Sequence, residues 1–384
     1  MYYVEKLVPG GQALTTLEDG KKVFLWNALP DEDVDFEITK KKSHYVEGIA
    51  TKINNLSSHR VEPKDECFLS TSPWQMMDYT FEVAKKSELL VEQFRQVGIN
   101  IDFPEVVTDD KPYFYRNKME YALYYNKETE KINLAFHQRG THRKVPIEQS
   151  SIERPEILAR AKEIVTDLNV RHEEARKYQS LLLRCNQKGE VSGGLFENGK
   201  PHPVFDNLKD TILGYEYSYS PNGFFQINLP VYEMALNEMK KYVSTDKVLD
   251  LYAGVGTIGL SIARNKDLVL VESNKDAFCE LEKNARGVAK PVLAKSEDCL
   301  DYIQPNQTVI LDPPRAGCDK KLLEKLLEVK PKTIIYLSCN PATQARDVAI
   351  LQSKYIMGQI KSFNFFPRTP HLENLVVLNI SQDE

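Results

Sequence analysis

Residues 248–260 read VLDLYAGVGTIGL, and the reading of the fold turns on them. An apolar run carrying Asp250 ends in Tyr252 and then in Gly254, Gly256 and Gly259, the spacing GxGxxG. Glycines so placed permit a tight turn and a close backbone approach to a ligand. The stretch therefore predicts a strand, a glycine loop and a helix. Two other apolar runs end as abruptly, VILDPPR at 309–315 and IIYLSCNP at 334–341. In an open parallel sheet, the carboxyl ends of the strands face the ligand crevice. Asp312 would then stand at the end of one strand and Cys339 on the loop after another. Together the three segments point to a nucleotide-type cofactor beside a reactive thiol.

From residue 229 the runs KVLDLY, DLVLVE, PVLAK, QTVILD and KTIIYLSC alternate with helical segments at 275–286, 319–329 and 342–352. That alternation predicts an α/β, doubly wound parallel sheet. The tail adds strands near 359–366 and 375–380. Residues 1–58 read differently. The turn signals Pro9-Gly10-Gly11, Asp19-Gly20 and Pro30-Asp31 divide short runs of alternating polarity, which predicts about five strands in a small antiparallel barrel. Between these regions the pattern is mixed. Residues 79–97 carry a helical apolar set and stop at Gly98, 113–136 return to strands, and Pro155 opens a helix running to about Tyr178. Strand signals then continue to about residue 228.

The 384 residues are 42% hydrophobic and 27% charged, the composition of a globular protein. No apolar run approaches the roughly 18 residues that span a bilayer. MYYVEKLVPGG lacks the apolar core of a secretory signal. Six cysteines without a CxxC pair fit a reducing cytoplasm with free thiols. Cys185, Cys279, Cys299 and Cys318 read as small buried hydrophobes. Cys339 differs, because it follows a strand and precedes Asn-Pro. A place near a helix N-terminus predicts partial exposure and a lowered thiol pKa. The net charge of −5 counts against a large phosphate-binding surface, yet residues 111–184 hold 15 Lys or Arg against 10 Asp or Glu. That excess is either a basic face or an ordinary solvated surface.

Asp250 bears on the cofactor. A carboxylate at the first strand's end would repel a pyrophosphate and suits a cationic amino group, as on S-adenosyl-L-methionine. Glu272, eighteen residues past Gly254, can accept both ribose hydroxyls. An NAD-linked fold and a purely structural loop are the competing readings. Asp312-Pro313-Pro314 resembles the acidic Pro-Pro loops of methyltransferases that act on planar nitrogen heterocycles. Two prolines stiffen such a loop, although tandem prolines also end strands for structural reasons.

The segments DLYAGVGTIGL, LDPPRAG, LSCNPATQARD and FPRTPHLENL, with FFQIN at 224–228 and YRNKMEYAL at 115–123, resemble the RNA uracil-C5 methyltransferase family, which makes 5-methyluridine. The resemblance spans nearly the whole chain. It implies Cys339 as nucleophile, Glu373 as base and Asp312 as a contact to the target uracil. Gln226 would lie between cofactor and substrate. Gln226, Asp250, Tyr252, Gly254, Gly256, Glu272 and Asp312 would hold S-adenosyl-L-methionine. The amino end resembles the TRAM domain, an OB-like barrel found in ribosomal-RNA members. The expected organisation is thus a TRAM-like RNA-binding barrel at 1–58, a central α+β RNA-binding domain at 59–206 and a Rossmann-like methyltransferase domain at 207–384. The helix at 79–97 could pack on the last of these.

The sequence departs from that family at two places, the first being Ala253, which stands where many relatives have cysteine and should be harmless. Most relatives hold an iron–sulfur cluster on four cysteines, whereas ECFLSTSPWQ at 66–75 offers Cys67 alone, and the fourth position falls near Ser150 or Ser151. No iron–sulfur cluster is expected, because such clusters need four thiolates. Some of Trp74, Met76, Met77 and Tyr79 are expected to be buried there in its stead. Phe224, Phe225 and Tyr252 are either stacking surfaces for a flipped base or core. Arg368 and His371 are either RNA contacts or surface. The expected partner is RNA, ribosomal RNA ahead of transfer RNA, with no membrane, for a monomeric cytoplasmic enzyme. A transfer-RNA methyltransferase, an NAD-linked oxidoreductase and a catalytically silent RNA-binding protein are the alternatives.

Overall fold

The computed structural model describes residues 1–141, 143–202 and 204–381. The Lys247–Leu251 strand is third of eight in the largest sheet and the middle one of its five consecutive parallel strands. Its order is Lys290–Leu293, Asp267–Glu272, Lys247–Leu251, Gln307–Leu311, Thr333–Ser338, Glu373–Ile380, Tyr355–Phe363 and Val106–Val107. The apolar runs read as continuous because helices cover both faces. Successive residues alternate between two buried clusters: Val248, Leu270, Ile310 and Ile335 lie in one, and Leu249, Val271, Val309 and Ile334 in the other. The first five strands in that order pair in parallel. From the central strand the chain winds one way to Asp267–Glu272 and then the other way to Gln307–Leu311. The crevice opens at such a switch point.

The tail departs from a purely parallel sheet. Glu373–Ile380 runs antiparallel to both of its neighbours, Thr333–Ser338 and Tyr355–Phe363. No helix lies between the last two strands, and a parallel pair needs a crossover. The sheet is therefore a mixed α/β sheet of Rossmann-like order.

At the amino end, the first strand breaks into Tyr2–Tyr3, paired with Asp33–Lys41, and Lys6–Leu7, paired with Ala13–Thr16. Pairing on both sides closes the sheet into a barrel. Asp19-Gly20 makes the expected hairpin between Ala13–Thr16 and Lys22–Trp26. One pairing departs from the antiparallel expectation: Lys22–Trp26 and Tyr45–Asn55 run parallel. The closure brings two strands of the same direction together.

The central region holds an antiparallel sheet in the order Lys144–Pro146, Lys131–His137, Lys118–Asn126, Ser180–Cys185, Val191–Glu197 and Lys200–His202. Helix Pro155–Val170 packs on it and ends short of Tyr178, where His172 adopts φ +54°. Residues 220–228, read as a continuation of strand, form a loop. Lys118 Nζ donates to the carbonyls of Asn222 and Gly223, and Arg184 Nη2 to that of Phe225. Carbonyls taken by cations are lost to a ladder.

Helix Tyr79–Gln96 packs on helix Pro341–Leu351, and the Val106–Val107 strand that follows joins the edge of the large sheet. Asp78 caps the first of these helices. The segment just before it ties three regions together. Trp74 Nε1 donates to the barrel carbonyl of Gly11 at 2.9 Å, and the Trp74 amide donates to that of Arg368 at 3.0 Å. Gln75 Nε2 donates to Asp65 Oδ2, which also accepts from Ser151. Trp74, Met76 and Met77 are buried and Tyr79 is half-buried. Cys67 is the only thiol here, and Asp65, Gln75 and Ser151 already use their polar atoms on one another, so these residues do not fit a four-thiolate cluster. Trp74→Ala is expected to cost about 3–5 kcal/mol of stability, read as a lower denaturant midpoint. A loss typical of surface positions would show that this tie is slack.

Candidate active site

The glycine loop is built on two carboxylates. Glu272 Oε2 accepts from the Gly254 amide at 2.8 Å and Oε1 accepts from Asn274. Asp250 Oδ2 accepts from the Gly259 amide at 2.8 Å, and a Cβ at Gly259 would lie 2.7 Å from that oxygen. Glycine is required there because helix and strand touch. Asp250 is fully buried, and its Oδ1 has no partner among the described residues. Burial pushes its carboxyl up to about 8, with the Asp312 and Glu272 charges adding to the rise and the Gly259 amide opposing it. Tyr252 holds φ +67°, a conformation rare for a bulky residue. The backbone thereby turns from strand into loop while the ring packs against the buried cluster beneath the crevice.

Strand register assembles the reactive groups. Ser338 stands opposite Asn374 across the antiparallel pair, so Cys339 and Glu373, one step on in each strand, face each other. Leu311 pairs with Tyr336 in the parallel direction, so Asp312 leaves the sheet at the same edge. Asn340 caps helix Pro341–Leu351, and its Nδ2 donates to the Arg315 carbonyl at 2.8 Å. Arg346 Nη2 donates to the Ala316 carbonyl, and Asp347 Oδ2 accepts from the Cys318 amide. The helix after the thiol thus fixes the loop after Asp312.

Electrostatics run against one expectation. The Cys339 thiol is pushed up to about 11, not lowered. Burial dominates, the carboxylates of Glu373 and Asp312 add to it, and Arg315 only partly opposes them. A helix N-terminus cannot offset two carboxylates and lost hydration. Glu373 and Asp312 are both raised, chiefly by burial, and the Asp312 charge raises Glu373 further. Glu373 Oε2 is buried with no partner among the described residues. A buried carboxylate oxygen left open at a crevice is suited to take a proton from a bound molecule.

The remaining residues separate clearly. Gln226 is 7% exposed, and its carbonyl accepts from Asn117 Nδ2. Phe225 is core, stacked on Tyr219 at 3.8 Å, whereas Phe224 is 72% exposed. Arg368 is neither surface nor a free cation. Its amide donates to both Glu82 oxygens, Nη1 donates to the Met77 carbonyl, and Glu82 also pairs with buried Lys86 at 3.0 Å. His371, itself exposed, lines with Cys339 and Arg315 a cavity of about 190 Å³, where partial desolvation and the nearby cations Arg315 and Lys86 hold its imidazole below its ordinary value. Cys185, Cys299 and Cys318 are buried as expected, but Cys279 is exposed. Helix Lys275–Asn284 turns Glu280 and Leu281 inward, which leaves Cys279 on the outer side. Sequence reading missed Lys86 and Glu82, whose helical i,i+4 spacing marks a pair but not its burial. Among the described residues no helix is long and apolar enough to cross a membrane.

Three comparisons bear on this arrangement. A family model described as tRNA (Uracil-5-)-methyltransferase matches residues 295–381. An uncharacterized RNA methyltransferase of Bacillus cereus is 27% identical, over 93% of this chain and 91% of its own. One from Staphylococcus aureus is 28% identical, over 93% of each. Among solved structures, the tRNA (uracil-54, C5)-methyltransferase of Pyrococcus abyssi, in complex with S-adenosyl-L-homocysteine, is 23% identical with a TM-score of 0.76. It covers 98% of this chain and 100% of its own, a likeness of fold that includes the barrel.

Proposed function

We propose that this chain, which resembles the RNA uracil-C5 methyltransferases, uses S-adenosyl-L-methionine and methylates a uridine covalently through Cys339 and Glu373. What supports these two residues is the register that faces the thiol with a buried, unpartnered carboxylate oxygen. Asp250, Glu272, Tyr252, Gly254 and Gly256 would hold the cofactor at the switch point, with Gln226 and Asp312 between cofactor and base. The open Oδ1 of Asp250 fits a cationic group, directly or through water. Bound there, S-adenosyl-L-methionine supplies an electrophilic methyl.

Uracil C5 is a weak nucleophile. Bond formation between Cys339 Sγ and uracil C6 moves the ring electrons onto O4, and C5 of that enolate is nucleophilic. Asp312 would hold the base edge on its stiff Pro-Pro loop. After methylation, Glu373 takes the C5 proton, the electron pair restores the C5–C6 bond, and Cys339 leaves as thiolate. A stacked base is out of reach, so the uridine must leave its helix. Exposed Phe224 beside Gln226 suits a stacking contact to it. With its pKa near 11, the thiol is protonated at neutral pH. Adduct formation is therefore expected to quicken by up to about tenfold per pH unit from 6 to 8, following the thiolate fraction. A rate flat across that window would show that substrate binding itself removes the proton.

For the RNA, large-subunit ribosomal RNA is the first reading, on the amino-terminal barrel. Transfer RNA is the second, because the Pyrococcus abyssi tRNA enzyme overlays the barrel as well. The test is 5-fluorouridine-substituted ribosomal and transfer RNA, incubated with the protein and S-adenosyl-L-methionine. A denaturation-resistant adduct is expected with one of them, since C5–F cannot be deprotonated. No adduct with either would overturn the covalent mechanism.

A further inference from the structure

Phe114 is an anomaly in the strip whose Asn117 bonds the Gln226 carbonyl. It holds φ +56°, a left-handed backbone that a bulky L-residue adopts only under constraint, and its side chain is 56% exposed. The neighbouring residues hold the backbone in place. The Phe114 amide donates to the Ser151 carbonyl at 2.9 Å, and that of Arg116 to Ile152 at 2.9 Å. Tyr115 is buried, and its hydroxyl donates to the Pro367 carbonyl at 3.0 Å. The Tyr113 ring lies under Lys64 Nζ at 3.9 Å and beside the Arg368 guanidinium at 5.1 Å. Asn117 donates through its amide to Ile227 and through Nδ2 to the Gln226 carbonyl. The strip 113–117 is thus pinned to the Gln226 loop on one side and to the loop before Glu373 on the other. Phe114 is the one large apolar side chain of the strip turned to solvent.

We propose that Phe114 is a stacking platform for an unpaired RNA base next to the target uridine. The inference rests on the proposed RNA substrate and names a residue outside the reacting set. Three observations select a nucleobase as the occupant. The strip carries the cation Arg116, and Lys64 Nζ lies over the Tyr113 ring, charges that suit a phosphate backbone. Asp109, the acidic residue that precedes the strip, accepts from the Lys111 amide of its own turn. The second exposed aromatic of the region, Phe224, lies two residues before Gln226, and Asn117, three residues after Phe114, bonds the Gln226 carbonyl. Paired aromatic faces beside cations are how single-stranded nucleic acid is gripped without base-edge contacts.

The test is Phe114→Gly, Phe114→Leu and Phe114→Trp in the full chain, read by RNA Kd, S-adenosyl-L-methionine Kd and thermal midpoint. Glycine and leucine are expected to weaken RNA binding about tenfold or more, with tryptophan within about threefold of the natural residue. S-adenosyl-L-methionine affinity should hold throughout. Phe114→Gly should keep or raise the midpoint, because glycine takes this φ without strain. A residue serving only structure would lower the midpoint on truncation and leave RNA Kd alone. RNA binding unchanged in the leucine variant, or a midpoint that falls in the glycine variant together with cofactor affinity, would overturn the proposal. The fluorouridine adduct of the natural protein is scored separately. Its failure strikes the covalent mechanism, while the Kd contrast among variants still decides Phe114.

Discussion

Cys339→Ala is expected to abolish methylation and the covalent RNA adduct together, by more than about 10⁴-fold in turnover, while S-adenosyl-L-methionine binding is unchanged. The side chain is half-buried at the end of the Thr333–Ser338 strand, and the residues proposed for the cofactor stand on other strands. Alanine removes the sulfur without crowding the Asn340 cap that follows. Isothermal titration with S-adenosyl-L-homocysteine and a denaturing gel with fluorouridine RNA read the two halves separately. Measurable turnover with no adduct would remove the nucleophile assignment. Loss of both turnover and cofactor binding would instead mark Cys339 as part of the cofactor site.

Glu373→Gln should divide the reaction at another point. The amide can still hold the base but cannot take the C5 proton. Methyl transfer should proceed, release should stall, and a methylated protein–RNA adduct should accumulate on natural uridine. Overall turnover is expected to fall about 10²–10⁴-fold, the usual worth of a general base. Instability does not account for such a loss. The folded pKa of Glu373 is raised well above its ordinary value by burial and by Asp312. Its stabilising contribution is therefore complete below the unfolded pKa and is lost as pH rises through the folded value. Glutamine carries no such penalty, so at pH 8 the variant should unfold no earlier than the natural protein. Normal turnover without an accumulating adduct would show that another group takes the proton.

Much of this was legible before any tertiary contact was known. Apolar runs of strand length between amphipathic helices declared the sheet, because burial on both faces leaves no room for polar alternation. Gly254, Gly256 and Gly259 declared the loop, and Gly259 is needed where Asp250 comes within contact of it. Misreadings arose where side chains far apart in sequence decide the outcome. FFQIN has strand composition, yet Lys118 and Arg184 claim the carbonyls of its loop. Arg368 has the look of a surface cation, yet Glu82, almost three hundred residues earlier, holds it inside.

Local pattern by itself determined which residues end strands, where the chain must turn, and therefore that a thiol, an acidic Pro-Pro loop and a glycine loop lie at the edge of one sheet. Those are properties of short segments, set by period and by allowed backbone angles. Strand order and register decided the rest. Only the pairing of Ser338 with Asn374 places Glu373 opposite Cys339. Only the burial that results raises that thiol to about 11 and leaves a carboxylate oxygen open beside it. Desolvation and charge–charge coupling depend on what surrounds a group in three dimensions, and no window of sequence contains those neighbours.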